Sequence, residues 1–267
     1  MESTRAAKRQ RVDSSASPPV SAAPSSSTTS SAALTCLPAP SANPSSSSAD
    51  VSSGSAMRKM AEKDLSAWAS QMRAKIAAAM ASSGGIAIID DFLPRDVANE
   101  LRAIVFALGP GKWALNEDDG EDDDIPHTFL SCAENISDAN RILWSIMPDK
   151  LPSFSAARYM QGHGIARHDD TLTISDGSGG TLSRDTAIVL YLVDDEWSKE
   201  DGGLFLDYGN PEEEQETPIR TVVPKFNRLV CFNVPRDHEV TAVAVENDVE
   251  RPRLSIFGWF LVPDNSK

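Results

Sequence analysis

No run of roughly 18 apolar residues occurs in the 267-residue chain, so no stretch of it suits a bilayer-spanning helix. The N-terminus has no apolar signal region, and secretion is not expected. Cysteine is scarce. Cys36, Cys132 and Cys231 lie far apart in no zinc-type spacing, and an odd, sparse set suits a reducing compartment. The first 57 residues contain no Phe, Trp or Tyr, and no internal repeat runs through the chain.

What the first 57 residues do contain is 18 Ser, 11 Ala and 6 Pro. Such a segment cannot bury enough apolar surface to offset the entropy of ordering it, so residues 1–57 are expected to be a disordered tail. Residues 58–267 then form one domain of ordinary size. The tail holds Arg5, Lys8, Arg9 and Arg11, a cluster that reads either as a nuclear import signal or as solvated charge. A nuclear or cytoplasmic location, or both, is expected. Four basic and three acidic residues give the tail +1, which leaves −15 on the remainder of a chain whose net charge is −14. A domain so acidic is poorly suited to a phosphate backbone. No nucleic-acid or membrane partner is expected, whereas a basic protein substrate fits.

Residues 59–82 read as a helix, with Leu65, Trp68, Met72, Ile76 and Met80 at spacings of three and four and Gly84-Gly85 as the stop. A short strand follows at 86–89. Pro94 opens a second helix that carries Val97, Leu101, Ile104, Val105 and Leu108 on one face and ends at Gly109-Pro110. Residues 117–124 hold seven acids and read as an exposed loop. A third helix is expected over 138–147, with Ser137 as its N-cap. From 153 onward short β-type runs alternate with Gly, Pro, Asp and Asn. They place strands near 154–160, 165–169, 186–193, 203–208, 219–223, 228–233, 239–245 and 253–261. Eight short strands in so little chain indicate a sandwich or jelly roll, with the helices packed on one face of a sheet. The division is helical support over 58–150 and a β-barrel over 151–267.

The chemistry centres on His168-Asp169-Asp170. On a strand, residues i and i+2 face one side, so His168 and Asp170 would present an imidazole and a carboxylate to one point. That is two thirds of the facial triad of non-haem Fe(II) oxygenases, although His-x-Asp alone is a weak signal. His238, where a late strand begins, is placed to complete it. Arg253 and Ser255 share one face of the last strand, and its other face is apolar. An Arg buried inside a barrel needs an anion, and a dicarboxylate cosubstrate would supply one.

The ordered set of Tyr159, His168-Asp169-Asp170, Tyr191-Leu192, Gly202-Gly203, Pro224-x-x-Asn227-x-Leu229, His238 and Arg253-x-Ser255-x-x-Gly258-Trp259-Phe260 resembles the Fe(II)- and 2-oxoglutarate-dependent dioxygenases of the prolyl hydroxylase superfamily. Within it, the set is most similar to the ribosomal prolyl hydroxylases related to the yeast translation-termination factor. The resemblance covers roughly residues 85–265, the catalytic barrel alone. The second, non-catalytic barrel of that branch, with its part in substrate recognition, is not expected here, and Thr171–Arg184 is longer than usual. The resemblance implies an α+β fold built on a double-stranded β-helix (jelly-roll) barrel with N-terminal packing helices. It implies Fe(II) on His168, Asp170 and His238. Arg253 and Tyr191 would hold the distal carboxylate of 2-oxoglutarate, Ser255 would assist, and Tyr159 would line the pocket. O2 is the oxidant, ascorbate the expected reductant, and hydroxylation of a protein prolyl residue the expected reaction, with release of succinate and CO2. A ribosomal protein is among the candidate substrates.

Other residues compete for these roles. Asp169 should point away from the metal, and His163 reads as a loop residue near the pocket mouth. His127 is given no role. Arg251 has the strand parity of Arg253 and could take its place, but Pro252 and the six-residue offset from Arg253 to Trp259 favour Arg253. Gly202-Gly203 reads most simply as a turn before a strand. Two other functions stand beside the favoured one: a catalytically silent barrel that acts as a protein-binding module, and a nucleic-acid demethylase of the same superfamily. The intact triad speaks against the first and the acidic charge against the second.

Overall fold

The computed structural model describes residues 55–62, 65–118, 127–134, 136–213 and 215–264. The basic cluster and nearly all of the expected tail lie outside the described residues. In chain order the elements are α1 (Ala56–Glu62), α2 (Ser66–Ser82), β1 (Ile86–Ile89), α3 (Arg95–Phe106), β2 (Ala114–Asp118), β3 (His127–Cys132), α4 (Ser137–Trp144), β4 (Leu151–Tyr159) and β5 (Ile165–His168). There follow β6 (Thr173–Ser175), β7 (Thr181–Tyr191), β8 (Phe205–Gly209), β9 (Arg220–Val222), β10 (Leu229–Asn233), β11 (Asp237–Val240) and β12 (Arg253–Pro263). An eight-stranded sheet runs β1-β10-β7-β12-β4-β3-β2, with β6 paired to β7. A four-stranded sheet runs β5-β11-β8-β9. The two form the jelly roll, and the helices pack on the outer face of the larger one.

Side chains in a strand alternate between faces, and both faces of the larger sheet are covered. Leu254, Ile256 and Phe260 of β12, Ile188 and Leu190 of β7, and Leu229 and Cys231 of β10 join one core with Met72 and Ile76 of α2, Leu101 of α3 and Ile142 of α4. The alternate residues Ala187, Tyr191, Val230, Phe232 and Tyr159 join a second core with Phe205, Val222 and Val240 of the smaller sheet. Arg253 and Ser255 share the parity of this inner set.

Two motif residues explain how layers are pinned. Gly258 has φ of +146°, and a Cβ there would collide with the carbonyl oxygen of Ser153 on β4. Only glycine lets β12 and β4 approach so closely. Asn227 turns the chain into β10 with φ of +59°. Its amide accepts from Leu93 N–H at 2.9 Å and donates to Leu93 C=O at 2.7 Å. It therefore staples the strand to the segment that leads into α3.

Several expectations are corrected. The helix over 59–82 is two helices, and its heptad-like apolar set lies on the second. The folded part begins before 58, because α1 starts at Ala56 and Met57 is buried against the helical core. The segment 58–150 is not only helical support: β1, β2 and β3 from it complete the larger sheet. Glu117 and Asp118 end β2 and pair with Thr128 and His127 rather than opening a loop, while 119–124 lie outside the described residues. Ser137 is the first residue of α4, and its predecessor Ile136 occupies the cap position without a side-chain bond. The long Thr171–Arg184 segment is a hairpin of β6 on β7.

Deleting residues 1–54 should leave the thermal midpoint unchanged, whereas deleting 1–62 should lower it by removing Met57 and Ala61 from the core. Gly258→Ala should cost about 3 kcal/mol in urea unfolding, since neither backbone at this contact can yield.

Candidate metal centre

β5 and β11 are antiparallel neighbours, and their register sets His168 opposite His238. The two imidazole centroids are 4.1 Å apart. Asp170 joins them by a route different from strand alternation: β5 ends at His168, and the chain turns through a left-handed φ of +66° at Asp170. That turn aims its carboxylate back at both rings. Oδ1 lies 3.4 Å from His168 Nε2 and Oδ2 lies 3.6 Å from His238 Nε2. One ligand atom from each of the three residues lies within 4.8 Å of the others, the sole group of this kind among the described residues. Asp169 is not in the group; its carboxylate accepts Thr171 N–H at 2.8 Å.

The rings are held from behind. His168 Nδ1 is 2.8 Å from Ala166 C=O, and His238 Nδ1 is 2.7 Å from Arg236 C=O. A carbonyl can only accept, so each Nδ1 carries the proton and each Nε2 faces Asp170. Burial opposes charge on Asp170, but His168, His238 and the Trp259 indole outweigh it and hold the carboxyl at about 2. On His168, burial works against the cation and the Asp170 carboxylate wins, so the imidazole sits above its usual range. His238 is buried more deeply, and desolvation pushes it down to about 4. Two Nε2 atoms and one carboxylate converge on one point, a donor set that fits Fe(II) and leaves further positions open. Taking up a divalent cation would release the proton that His168 favours.

On the same side of the larger sheet lies a buried cation. Arg253 is 1% exposed, and among the described residues no carboxylate lies within 4.0 Å of it. Its Nε donates to Gly203 C=O at 2.8 Å, and its guanidinium carbon lies 4.4 Å from the Tyr159 ring centroid and 5.1 Å from that of Tyr191. Among the described residues the buried Tyr191 hydroxyl has no hydrogen-bond partner. Burial pushes the Tyr159 phenol up to about 12 and raises Tyr191 as well, so both remain donors. Ser255 pairs with Tyr191 across β12 and β7. A buried fork of donors beside an unbonded phenol is built for an anion.

The family model described as the 2OG-Fe(II) oxygenase superfamily matches residues 154–261, a window that contains the cluster, both tyrosines and Arg253. This segment matches the 2OG-Fe(II) oxygenase family model. The chain is also 36% identical over 115 residues to "Prolyl 3-hydroxylase OGFOD1" of Xenopus laevis, covering 42% of this chain and 20% of that protein. The mouse protein of the same name is 35% identical over 112 residues, covering 41% and 18%. The chain thus spans about a fifth of the length of these curated relatives. A prolyl hydroxylase from Trichoplax adhaerens, solved with a hypoxia inducible factor peptide fragment, shares the fold with TM-score 0.55 and 20% identity, over 74% of this chain and 93% of that one. A Pseudomonas putida prolyl-4-hydroxylase does so with TM-score 0.50 and 22% identity, over 71% and 98%.

Within the matched segment, the rival arginine is committed elsewhere. Arg251 donates from Nε to Asp194 at 2.8 Å and lies 3.4 Å from Asp201. His163 lies in the turn between β4 and β5 and His127 opens β3, both outside the cluster. Gly203 is more than a turn residue. It has φ of +62°, its carbonyl fixes Arg253, and a Cβ would strike the Arg253 side chain. Sequence reasoning also missed Arg184. It donates to Asp170 C=O at 3.3 Å, lies 3.6 Å from Oδ1, and stacks 3.4 Å from the Trp259 ring centroid. Its only sequence signal is its place at the end of the long 171–184 segment.

His168→Ala, Asp170→Ala and His238→Ala should each abolish Fe(II) binding in a metal titration, while Asp169→Ala retains most of it. Equal loss at Asp169 would overturn the assignment. Arg253→Ala should raise the 2-oxoglutarate requirement at least about a hundredfold, since leaving the other partner of a buried pair unpaired costs about 3–5 kcal/mol. Arg253→Lys should recover part of that, and Arg251→Ala should change it little in the same titration.

Proposed function

We propose that this chain is a Fe(II)- and 2-oxoglutarate-dependent dioxygenase that hydroxylates a prolyl residue in a protein, releasing succinate and CO2. The observation that carries the reading is Arg253, a buried cation with no carboxylate partner among the described residues, in the barrel that also holds the His–Asp–His cluster. His168, Asp170 and His238 would hold the iron. Bound iron, with 2-oxoglutarate and O2, supplies the oxidising chemistry, and ascorbate would keep the metal reduced. Arg253 takes the distal carboxylate of the cosubstrate through its planar fork. The Tyr191 hydroxyl donates to the same carboxylate, Tyr159 packs against the guanidinium, and Ser255 assists from the neighbouring strand position.

Aromatic rings of the barrel wall shield His238 from water. Phe205 stacks on His238 with centroids 5.2 Å apart, and Phe232 meets the same ring edge-on at 4.8 Å. Dry walls strengthen every polar contact inside and protect the oxidant from side reactions.

A prolyl substrate is supported by the names of the relatives, prolyl 3-hydroxylases in frog and mouse. The −15 charge outside the tail favours a basic protein partner, and a ribosomal protein meets that description. A nuclear or cytoplasmic site of action suits such a partner. The test supplies purified chain with Fe(II), 2-oxoglutarate and a panel of basic and acidic proline-containing peptides. Succinate release coupled to one added oxygen on proline, with the basic peptides favoured, is the expected outcome. Oxygen added to another residue type, or succinate with no peptide dependence, would refute the prolyl assignment.

A further inference from the structure

Arg236 touches both arms of the cluster, and it does so with its backbone. Its N–H donates to the carbonyl of Asp169, the residue between His168 and Asp170, at 3.2 Å. Its carbonyl accepts His238 Nδ1–H at 2.7 Å. The side chain fixes where those two peptide groups lie. Nε donates to Asp207 Oδ1 at 2.7 Å and Nη2 to Asp207 Oδ2 at 2.9 Å, a two-bond fork. Nη1 donates to Gly84 C=O at 2.7 Å, in the turn between α2 and β1. Arg236 is 5% exposed and Asp207 is fully buried. Asp207 itself is held on β8 opposite His238, and its Oδ1 also accepts Gly209 N–H at 3.0 Å.

We propose that the Arg236–Asp207 pair is a positioning device for the metal centre. It sets iron affinity by fixing the orientation of His238 and the turn that carries Asp170. The inference rests on the reading of His168, Asp170 and His238 as iron ligands. A buried ion pair often gives no more stability than an apolar pair of similar volume, so stability alone does not account for it. An apolar pair cannot aim a residue in one direction, whereas a planar fork with a third donor bound to a separate anchor can. The Gly84 contact also ties the helical layer to the cluster, so the metal site is referenced to both sheets and to α2. Partners that orient a ligand from behind typically govern about ten- to a hundredfold in metal affinity.

Co(II), whose absorption reports ligand geometry, is the probe, titrated into the full chain. Arg236→Lys keeps the charge and loses the fork. The double variant Asp207→Leu with Arg236→Met removes both buried charges; Arg220, whose Nη1 lies 3.6 Å from Asp207 Oδ2, loses that partner but is partly exposed and can turn to water. Both should weaken Co(II) binding about ten- to a hundredfold and alter its spectrum. The double variant should melt close to the unmodified chain. Leu254→Ala, in the helical core, should lower the melting temperature while leaving Co(II) affinity and spectrum unchanged. A folded Arg236 variant with the affinity and spectrum of the unmodified chain would overturn the proposal. If the double variant does not fold, Arg236→Lys decides alone. If the unmodified chain binds no Co(II), the reading of the cluster as a metal site fails first and is recognised as that failure.

Discussion

The alternation of side chains along β12 is the constraint on which the remainder depends. One face of this strand must satisfy a hydrocarbon layer of helices, and the other must present a guanidinium, a hydroxyl and two aromatic rings to the barrel interior. A slip of one residue against β4 or β7 would drive Arg253 among Leu101 and Ile142 and turn Leu254 into the pocket. Both outcomes are costly, so the register is specified twice over. The missing Cβ at Gly258 specifies it a third time, since only that position tolerates the approach of Ser153.

The smaller sheet has a different task. It gives Phe205, Val222 and Val240 to the inner core, and other residues of it are spent on orientation. His168 and His238 are set across one ladder, and each is braced by a carbonyl two residues earlier in its own chain. The division of labour is physical: a wide, two-sided sheet supplies rigidity, and a narrow one carries groups that must point in chosen directions.

Much of this was legible in the chain itself, for reasons that differ by residue. The strands of the second half are short, β-branched and punctuated by turn residues, so local signals and tertiary structure agree. Arg253 and Ser255 could be read because a charged residue recurring in step on an otherwise apolar strand has few explanations. β2 and β3 could not be read: Ala114–Asp118 runs into an acidic series that masks its alternation, and an edge strand draws much of its order from its neighbour. Asp170 reached the expected place by a different path, because period-two reasoning presumes a strand where the chain in fact turns. Arg184 and Arg236 were invisible as site residues, and Gly203, part of the motif set, was read most simply as a turn. Arg236 and Gly203 act through backbone carbonyls, and Arg184 reaches Asp170 from a strand remote in sequence; such contacts leave no spacing rule in a single sequence.

A barrel that encloses a guanidinium before any counter-ion has arrived is left under electrostatic tension. The dicarboxylate proposed above would relieve it, and whatever binds the folded form alone shifts the folding equilibrium: at a hundredfold excess over its dissociation constant, by about 2.7 kcal/mol. For a domain of marginal stability that is a large share. On the proposed reading, the durability of this protein would follow a small metabolite's concentration, with Arg253 as the group that links the two.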